Sequence, residues 1–208
     1  MRVKHTVLSG LFVITLGVAF TLTFQEDFAE TSIRAVIPCP AGGAIILLAY
    51  PGMIIGVDGR ACIDPEQCAS TFQALASAPC ERLYRLIEPG ERIEPGDSRI
   101  RQDAMHAKIV IGDFPIQDYS VPSASVCQAI WEDKPARDHL WANGSGLALH
   151  CHAGAGRSGL VAALLLAEQG LSIEAAIIHV RQYHAEAIET EAQMAWLQST
   201  LGSLATGV

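Results

Sequence analysis

The chain has 208 residues, half of them hydrophobic, which is enough for the core of one ordinary domain and a short extension. Its formal net charge is −8, and this acidic balance argues against a nucleic-acid-binding protein, which needs a basic surface stripe. It argues more weakly against an enzyme that must lie on anionic lipid. A site that is locally positive is still compatible with the total charge.

The first 30 residues differ in composition from the rest. Arg2 and Lys4 precede an uncharged run, Val7–Phe24, and acidic residues follow it. Three interpretations compete: a secretory signal peptide with a weak cleavage site, a single membrane anchor of near-minimal length, or a segment without a targeting role. The last would be a buried strand or helix, or an upstream start that adds nothing to function. We therefore predict a leader at 1–30, which anchors or exports the protein or otherwise leaves it cytoplasmic, and one domain at 31–208.

After the leader, short apolar runs alternate with turns. Ile33–Ile37 and Ala44–Tyr50 are partly β-branched and are separated by prolines and glycines, so they predict a hairpin or two separate strands. Asp64 followed by Pro65 is typical of a helix N-cap with proline at the first helical position. The helix predicted from this signal ends near Ser77.

The middle of the chain predicts two more strands around a helix. Arg82–Glu88 and Lys108–Gly112 predict the strands, and Asp97–Ala107 predicts the helix between them. Asp113–Pro122, with the sequence DFPIQDYSVP, has a proline near each end and predicts a loop, which we call the acid loop. Ser123 caps a helix that runs to about Asp133, where Pro135 breaks or kinks it.

The last third predicts one buried strand and then helices only. The strand is Gly146–His150. The three helices run from Gly156 or Arg157 to Gln169, from Ser172 to about His184, and from Thr190 to about Leu204. Strands that alternate with helices predict an α/β fold with a central, mostly parallel sheet flanked by helices.

Six cysteines are present: Cys39, Cys62, Cys68, Cys80, Cys127 and Cys151. No two of them form a C-x-x-C pair, so the zinc-ribbon and thioredoxin patterns are excluded. Five are predicted to be small apolar residues. Cys62 and Cys68 are candidates for a disulfide if the chain is exported. No cofactor and no metal site are predicted.

The stretch Leu147–Leu166 satisfies two patterns at once. Residues 154–159 match G-x-G-x-x-G, a dinucleotide fingerprint, but that site also needs a second strand after the helix and an acidic residue about 20 positions on. Here that position lies near His179, within a helical pattern. The other pattern is H-C-x5-R, from His150 through Cys151 to Arg157. We favour the second pattern because all of its requirements are met.

H-C-x5-R between a strand and a helix predicts a phosphate-binding loop with its own nucleophile. A thiolate nucleophile needs nearby positive potential, which inward-pointing N–H groups and the helix N-terminus supply. Arg157 presents a planar fork that matches two phosphate oxygens. Ser158 can donate its hydroxyl to the sulfur, and His150 can orient the loop. The competing interpretation is a buried core cysteine in a tight turn.

A metal site at His150-Cys151-His152 is disfavoured, because no further ligands follow at metal-binding spacing. His152 is predicted at the rim of the loop.

A cysteine phosphatase also needs a general acid that later activates water. We favour Asp118, in the middle of the acid loop, over Asp113 at its start. The alternative role for Asp118 is an Asx turn.

Gln193 is the second candidate helper, as an amide that holds the attacking water. Thr190-x-x-Gln193 is also a capping box, in which the glutamine side chain returns to the backbone at the helix start. From the residues alone the two roles are equally supported.

Three segments together resemble the cysteine-dependent protein tyrosine and dual-specificity phosphatases: HCHAGAGRSG, FPIQDYSVPS and AIETEAQMAWL. Their order and spacing are similar to those of the small cyclin-dependent-kinase-associated type and its bacterial relatives. The resemblance extends from about Ile109 to Leu201, is looser over Ile33–Gly90, and does not include the leader.

The resemblance implies the phosphatase fold and a role for each matching position. Cys151 would form a phosphocysteine, Arg157 would bind phosphate and the transition state, and Asp118 would act as acid and then base. Ser158 would assist thiolate release, and Gln193 would position water. The backbone of the loop interior would hold the phosphate: His152, Ala153, Gly154, Ala155 and Gly156.

The resemblance also bears on the substrate. Phosphatases of this superfamily that act on inositol phospholipids usually carry lysines in the loop, and this loop has none, which favours phosphoproteins. We expect hydrolysis of phosphotyrosine, with or without phosphoserine and phosphothreonine. Membrane association would be through Val7–Phe24. The alternatives are a non-catalytic phosphate-binding pseudophosphatase and, less favoured, a sulfurtransferase or arsenate reductase.

Overall fold

The computed structural model of the protein describes residues 30–204. The strands in this range are β1 (Ile33–Pro38), β2 (Ala44–Leu48), β3 (Met53–Ile55), β4 (Ala61–Ile63), β5 (Cys80–Arg85), β6 (Val110–Asp113) and β7 (Gly146–His150). The α-helices are α1 (Pro65–Ser77), α2 (Gly96–His106), α3 (Ala124–Glu132), α4 (Lys134–Ala142), α5 (Gly156–Glu168), α6 (Ile173–Tyr183) and α7 (Glu191–Leu204).

Five strands form the main sheet, in the order β1-β2-β7-β5-β6. β2, β7, β5 and β6 are parallel, and β1 pairs antiparallel with β2 at one edge. The central strand β7 is buried along its whole length, and its last residue, His150, pairs with Leu48 on one side and Arg85 on the other. The loop after β7 therefore starts at the carboxyl ends of parallel strands, where open α/β sheets bind ligands.

Helices cover both faces of the sheet. Side chains of α1 and α2 pack on one face with Leu83 and Ala148. Side chains of α3 to α7 pack on the other with Tyr84 and Leu149. Neighbouring residues of each strand thus enter different cores, as the two-residue period of a strand requires. The predicted α/β class with a mostly parallel, helix-flanked sheet is confirmed.

The structure selects between alternatives that the sequence left open. The first two strands do form a hairpin. Pro135 breaks the helix and does not kink it: α3 ends at Glu132, and the proline lies in the first turn of α4. Proline is tolerated there because first-turn N–H groups have no partner within the helix.

Some predictions were incomplete or wrong in position. Helix α4 and the two-stranded ribbon of β3 and β4 were not predicted. The strand expected at Lys108–Gly112 starts only at Val110, because Lys108 has a left-handed φ of 59°. The strand expected to reach Glu88 ends at Arg85.

The predictions about the leader and the cysteines have different outcomes. Val7–Phe24 lies outside the residues that the structure describes, and the domain boundaries at 30 and 31 stay predictions. Within residues 30–204, no helix combines the length and the apolarity that crossing a bilayer requires. All six cysteines are free, so Cys62, which is exposed, and Cys68, which is buried, do not form the disulfide considered above.

Candidate active site

The loop between β7 and α5 has a tight backbone that only glycine permits at one position. Gly154 has a φ of +85°, in the region that favours glycine. A Cβ added there would lie 2.6 Å from the backbone nitrogen of Ala49 and from the carbonyl carbon of Leu48. The loop therefore packs directly on the end of β2.

The Cys151 sulfur is buried and surrounded by donors. The side chain is 2% exposed. Its Sγ accepts a hydrogen bond from the Gly154 N–H at 3.2 Å and lies 3.5 Å from the Ser158 Oγ. Ser158, also buried, is in the first turn of α5, whose N-terminus contributes positive potential. The structure therefore brings Cys151 and Ser158 together as predicted, and Cys151 is not a core cysteine that packs only against apolar groups.

His150 supports the loop from below as a neutral side chain. It is fully buried, and its Nδ1 lies 3.2 Å from the Cys151 carbonyl oxygen. Its ring contacts the ring of Tyr50 edge to face, with 5.5 Å between centroids. Burial lowers the pKa of His150 to about 4. The backbone N–H of Tyr50 in turn donates to the His152 carbonyl oxygen at 3.0 Å.

Arg157 is almost completely buried and is oriented by acceptors on three sides. Its two terminal nitrogens donate to the two carboxylate oxygens of Glu91 at 2.7 and 2.8 Å. Nη1 also donates to the Ile116 carbonyl oxygen at 3.0 Å, and Nη2 lies 3.0 Å from the Asp118 Oδ1. Nε has no hydrogen-bond partner within the part of the chain that the structure describes.

Glu91 is a site residue that the sequence did not reveal. It ends a short 3-10 turn, Pro89–Glu91, and its Oε2 also accepts a hydrogen bond from the Glu88 N–H at 2.7 Å. Partial burial raises the pKa of Glu91, but the hydrogen bonds from Arg157 and the Glu88 N–H, together with the nearby positive charge of Arg157, outweigh it, and the net pKa is lowered. Glu91 therefore faces Arg157 as a carboxylate.

The two candidate acids lie in different environments. Asp118 is half exposed, contacts Arg157, and accepts a hydrogen bond from the N–H of the next residue, Tyr119, at 3.0 Å. An Asx turn would use the N–H two residues on. Asp113 is paired with the fully buried Arg85, whose Nη2 donates to its Oδ2 at 3.0 Å. That hydrogen bond lowers the pKa of Asp113. The structure therefore brings Asp118 to Arg157, the predicted phosphate-binding residue, and holds Asp113 at the end of β6 against Arg85.

Gln193 is fully buried and forms the capping box. Its Oε1 accepts hydrogen bonds from the N–H groups of Glu189 and Thr190 at 2.9 and 3.3 Å, and its own N–H donates to the Thr190 Oγ1 at 3.1 Å. Its Nε2 donates to the Ser120 carbonyl oxygen at 3.2 Å. The same Nε2 lies 3.4 Å from the point where a Cβ of Gly156 would be. The side chain thus touches both the acid loop and the phosphate-binding loop.

Two further charged side chains contact the phosphate-binding loop without a signal in the sequence. A Cβ at Gly156 would lie only 2.1 Å from the Glu189 Oε2, so this carboxylate packs on the loop backbone. Exposed Arg34 of β1 donates from Nε to the Ala153 carbonyl oxygen at 3.4 Å. His152 is exposed, as predicted for a rim residue.

The other uses considered for this region lack their structural requirements. After α5 the chain continues into α6 without an intervening strand, so the second strand of a dinucleotide site does not follow. Residues 30–204 contain no group of three or more His, Cys, Asp or Glu side chains placed to hold a metal ion.

A sequence model of one protein family matches residues 62–171, slightly more than half of the chain, and is described as "Polymorphic toxin system, DSP-PTPase phosphatase". The chain belongs to this family. The resemblance to the cysteine-dependent dual-specificity phosphatases is thereby confirmed, and the matched range contains Glu91, the acid loop and the whole phosphate-binding loop.

Human protein tyrosine phosphatase type IVA 3 is 34% identical to this family member over 90 residues. The match covers 43% of this chain and 51% of the human protein, so the chain spans about half the length of that relative.

Solved structures of other phosphatases share the fold. Kinase-associated phosphatase, with its catalytic cysteine replaced by serine, superposes with a TM-score of 0.64 at 24% identity, over 83% of this chain and 95% of that one. A putative protein tyrosine phosphatase from Leishmania major gives 0.59 at 18% identity, covering 79% and 96%. Human DUSP28 gives 0.55 at 16% identity, covering 82% and 95%.

Proposed function

We propose that this family member hydrolyses phosphate monoesters of proteins through a phosphocysteine on Cys151. The observation that carries the proposal is the convergence of three groups at the end of β7. The Cys151 sulfur lies against a loop N–H group, Arg157 emerges from the first turn of the following helix, and Asp118 contacts that arginine at 3.0 Å.

In the first step the Cys151 thiolate attacks phosphorus. The S–P bond forms, the P–O bond to the leaving group breaks, and protonated Asp118 gives its proton to the departing oxygen. The loop N–H groups and Arg157 stabilise the charge on the three remaining phosphoryl oxygens. The Arg157 Nε, which has no partner in residues 30–204, is a donor available for one of these oxygens.

In the second step a water molecule attacks the phosphorus of the phosphocysteine. Asp118, now a carboxylate, accepts a proton from the water, the P–S bond breaks, and inorganic phosphate leaves. The Ser158 hydroxyl, 3.5 Å from the sulfur, donates a hydrogen bond to the departing thiolate. Binding of phosphate to Arg157 displaces the Asp118 carboxylate from Nη2. Asp118 is then free to face the leaving oxygen in the first step and the water in the second.

The substrate that fits this site is a phosphoprotein, with phosphotyrosine the main group cleaved. The loop interior carries no lysine, so a polyanionic inositol headgroup finds no additional cation there. The rim instead offers exposed His152 and exposed Tyr119, next to Asp118. Rates on peptides with phosphotyrosine, phosphoserine or phosphothreonine, compared with an inositol phospholipid, test this assignment, and a preference for the lipid would contradict it.

The mechanism is tested with aryl phosphates. The purified protein should hydrolyse p-nitrophenyl phosphate, and Cys151→Ser should lower kcat by about 10³-fold or more. Asp118→Asn should slow phenyl phosphate by about 10²- to 10⁴-fold, and dinitrophenyl phosphate, whose leaving group needs no proton, far less.

The matched control for the general acid is Asp113→Asn, which removes the same charge from the rival acid. We expect it to lower stability, because Arg85 loses its carboxylate, and to leave the dependence of rate on the leaving group as it is in the wild type. Full activity of Cys151→Ser would overturn the proposal, as would a wild-type protein that binds vanadate tightly and turns over no aryl phosphate. The second result would identify a phosphate-binding pseudophosphatase.

A further inference from the structure

The Gln193 amide connects the N-terminus of α7 to the acid loop. Its Nε2 donates to the carbonyl oxygen of Ser120, two residues after Asp118, at 3.2 Å. The side chain is fully buried. A second contact from the same helix start, between the Thr190 Oγ1 and the Tyr119 carbonyl oxygen, lies at 3.5 Å, the limit of hydrogen-bond distance.

Counting hydrogen bonds limits what this amide can do for a water molecule. A glutamine carbonyl oxygen has two lone pairs, and the Gln193 Oε1 uses both, for the N–H groups of Glu189 and Thr190. One of the two Nε2 hydrogens is used by Ser120. Gln193 therefore has one donor left and no acceptor, so it cannot take a proton or a hydrogen bond from an attacking water.

The acid loop contains one residue with an uncommon backbone conformation, next to Asp118. Tyr119 has a left-handed φ of 56°, which is uncommon for residues other than glycine. Within the loop, the Ser120 N–H closes a turn onto the Gln117 carbonyl oxygen at 3.0 Å. Ile116 anchors the loop before Asp118, through its N–H to the Leu86 carbonyl oxygen at 2.9 Å. Residues 118–120 make their polar contacts with the rest of the protein at Arg157 on one side and at the start of α7 on the other.

The start of α7 is itself held in place. Arg181 of α6 donates from Nε and Nη2 to the carbonyl oxygens of Ala187 and Ile188 at 3.0 and 2.9 Å. The Ile188 N–H reaches the Ala155 carbonyl oxygen in the phosphate-binding loop at 3.4 Å. The segment that carries Gln193 therefore contacts both the acid loop and the loop that follows Cys151, and it fixes the position of one relative to the other.

From this geometry we infer that Gln193 is a positioning residue for the acid loop, which keeps Asp118 over the Arg157 guanidinium through the hydrogen bond to Ser120. The inference rests on the proposed function. It assigns Gln193 to the first chemical step, in which Asp118 protonates the leaving group, in addition to any contact with water in the second.

Gln193→Glu separates the helix-capping contacts of the side chain from its hydrogen bond to the Ser120 carbonyl oxygen. The carboxylate keeps an acceptor for the backbone N–H groups of Glu189 and Thr190, so the helix cap is retained, but it has no hydrogen to give to Ser120. Gln193→Met is a second variant of equal length that removes both functions. Ser172→Ala is the matched stability control, because it removes the N-cap bond of α6, to the Ala175 N–H, and no contact to the acid loop.

The kinetic readout is the burst of phenol released as the phosphocysteine forms, measured for aryl phosphates from dinitrophenyl to phenyl. In Gln193→Glu we expect the burst rate to fall about tenfold or more for phenyl phosphate and less than about threefold for dinitrophenyl phosphate. Ser172→Ala should leave this dependence as in the wild type. A residue that only stabilises the fold, or a new charge that repels substrate, would slow all phenols equally.

The second readout does not need turnover. Hydrogen exchange at the Tyr119 and Ser120 amides should be about tenfold faster in both Gln193 variants than in the wild type, and unchanged in Ser172→Ala. Unaltered exchange overturns the inference, as do unaltered burst rates with a slower second step, which would restrict Gln193 to the water. If the wild type releases no phenol from any aryl phosphate, the proposed function fails, and the exchange experiment alone decides the role of Gln193.

Discussion

Two carboxylates, those of Glu91 and Asp118, contact the single guanidinium of Arg157. Glu91 takes two of its donor nitrogens, and Asp118 shares one of them. An incoming phosphate can replace the half-exposed Asp118, whereas Glu91, anchored by the Glu88 N–H, stays in place. Under the proposed function, Glu91 would fix the plane of the guanidinium before a phosphate binds, and such preorganisation stabilises the transition state of phosphoryl transfer.

Glu91→Gln tests this role at the scale of a single residue. The amide keeps one hydrogen bond to Arg157 and loses the ion pair, so we expect kcat/KM for p-nitrophenyl phosphate to fall about 10- to 100-fold, equivalent to roughly 1–3 kcal/mol. Steady-state kinetics and the inhibition constant of vanadate measure it. Glu94→Gln removes the same charge three residues away from an exposed position and should change kcat/KM by less than about twofold. Equal effects of the two variants would contradict the assignment.

His150 makes stability depend on pH, because it is buried as a neutral ring. Its pKa is about 4 in the folded protein and about 6.5 in an unfolded chain. The unfolded chain therefore takes up this proton first as the pH falls, so the free energy of unfolding decreases between about pH 6.5 and 4. The full effect is about 3 kcal/mol at the acid end.

Urea unfolding of the wild type and of His150→Asn, at several pH values from 7.5 to about 4.5, measures this contribution. Glu91, Asp113 and His184 also have shifted pKa values, but both proteins contain them. The stability difference between the two proteins should therefore shrink as the pH falls. Parallel pH profiles would show that His150 does not titrate in this window.

The site residues whose contact follows from spacing alone are those that lie close together along the chain. Cys151, Arg157 and Ser158 belong to one strand–loop–helix unit, so their spacing alone predicted their meeting. Glu91 comes from a different segment and meets Arg157 only because of the order of strands in the sheet. Nothing in the local sequence distinguishes it from the other glutamates of the chain, so no pattern could have selected it.

At the scale of elements, the first turn of α5 packs closely against the segment before α7. A Cβ added at Gly159 would lie 2.7 Å from the Ala187 Cβ and 3.0 Å from the Ile188 nitrogen. The glycine is therefore required by close approach and not by its backbone angles. It lets the first turn of α5, which carries Arg157 and Ser158, reach the segment that leads to Gln193.

Gly159→Ala should therefore destabilise the protein, although alanine is favoured over glycine in a helix by about 1 kcal/mol. We expect a net loss of about 1–3 kcal/mol from overpacking, measured by urea unfolding. Adding Ala187→Gly removes the nearest atom and should restore part of that loss, while the backbone contact with Ile188 remains. A neutral or stabilising Gly159→Ala would show that the contact between α5 and the segment before α7 is not tight enough to require glycine.

The elements that the sequence predicted well are those with a buried face or a clear cap. β7 is buried along its whole length, and the Asp64 side chain caps α1 by accepting from the Glu66 N–H at 2.8 Å. Ribbon β3–β4 has three-residue strands that are largely exposed, Ile55 among them, so it has no burial period to detect. Helix α4 was missed because a proline can mark the end of one helix or the first turn of the next, and the sequence does not distinguish the two.

At the scale of the whole molecule, a buried guanidinium group links helices and a strand from distant parts of the chain through hydrogen bonds and an ion pair. Arg137 of α4 is fully buried, and its Nη2 contacts both carboxylate oxygens of Glu168, on α5, at 2.7 Å. Its Nη1 donates to the hydroxyl of Tyr84, on β5, at 3.1 Å. Burial lowers the pKa of Arg137, but the partners Tyr84 and Glu168 outweigh it, and the net pKa is raised.

Removing one partner of this pair leaves the other charge buried. Arg137→Met should therefore lower the free energy of unfolding by about 3–5 kcal/mol, because Glu168, whose side chain is 5% exposed, keeps no counter-charge. Arg137→Met combined with Glu168→Leu replaces both charges by apolar groups and should lie within about 1 kcal/mol of the wild type. Urea unfolding of the three proteins at pH 7 measures both values.

The control is the pair between Lys134 and Asp138, which is in the same helix and has side chains 37% and 56% exposed. Lys134→Met should change stability by less than about 0.5 kcal/mol, because water already solvates both charges. Should the double variant be as unstable as Arg137→Met alone, the ion pair itself, and not the cost of a lone buried carboxylate, would be what stabilises the helices around α5. The buried guanidinium would then be a direct source of the free energy that holds the phosphate-binding loop on the sheet.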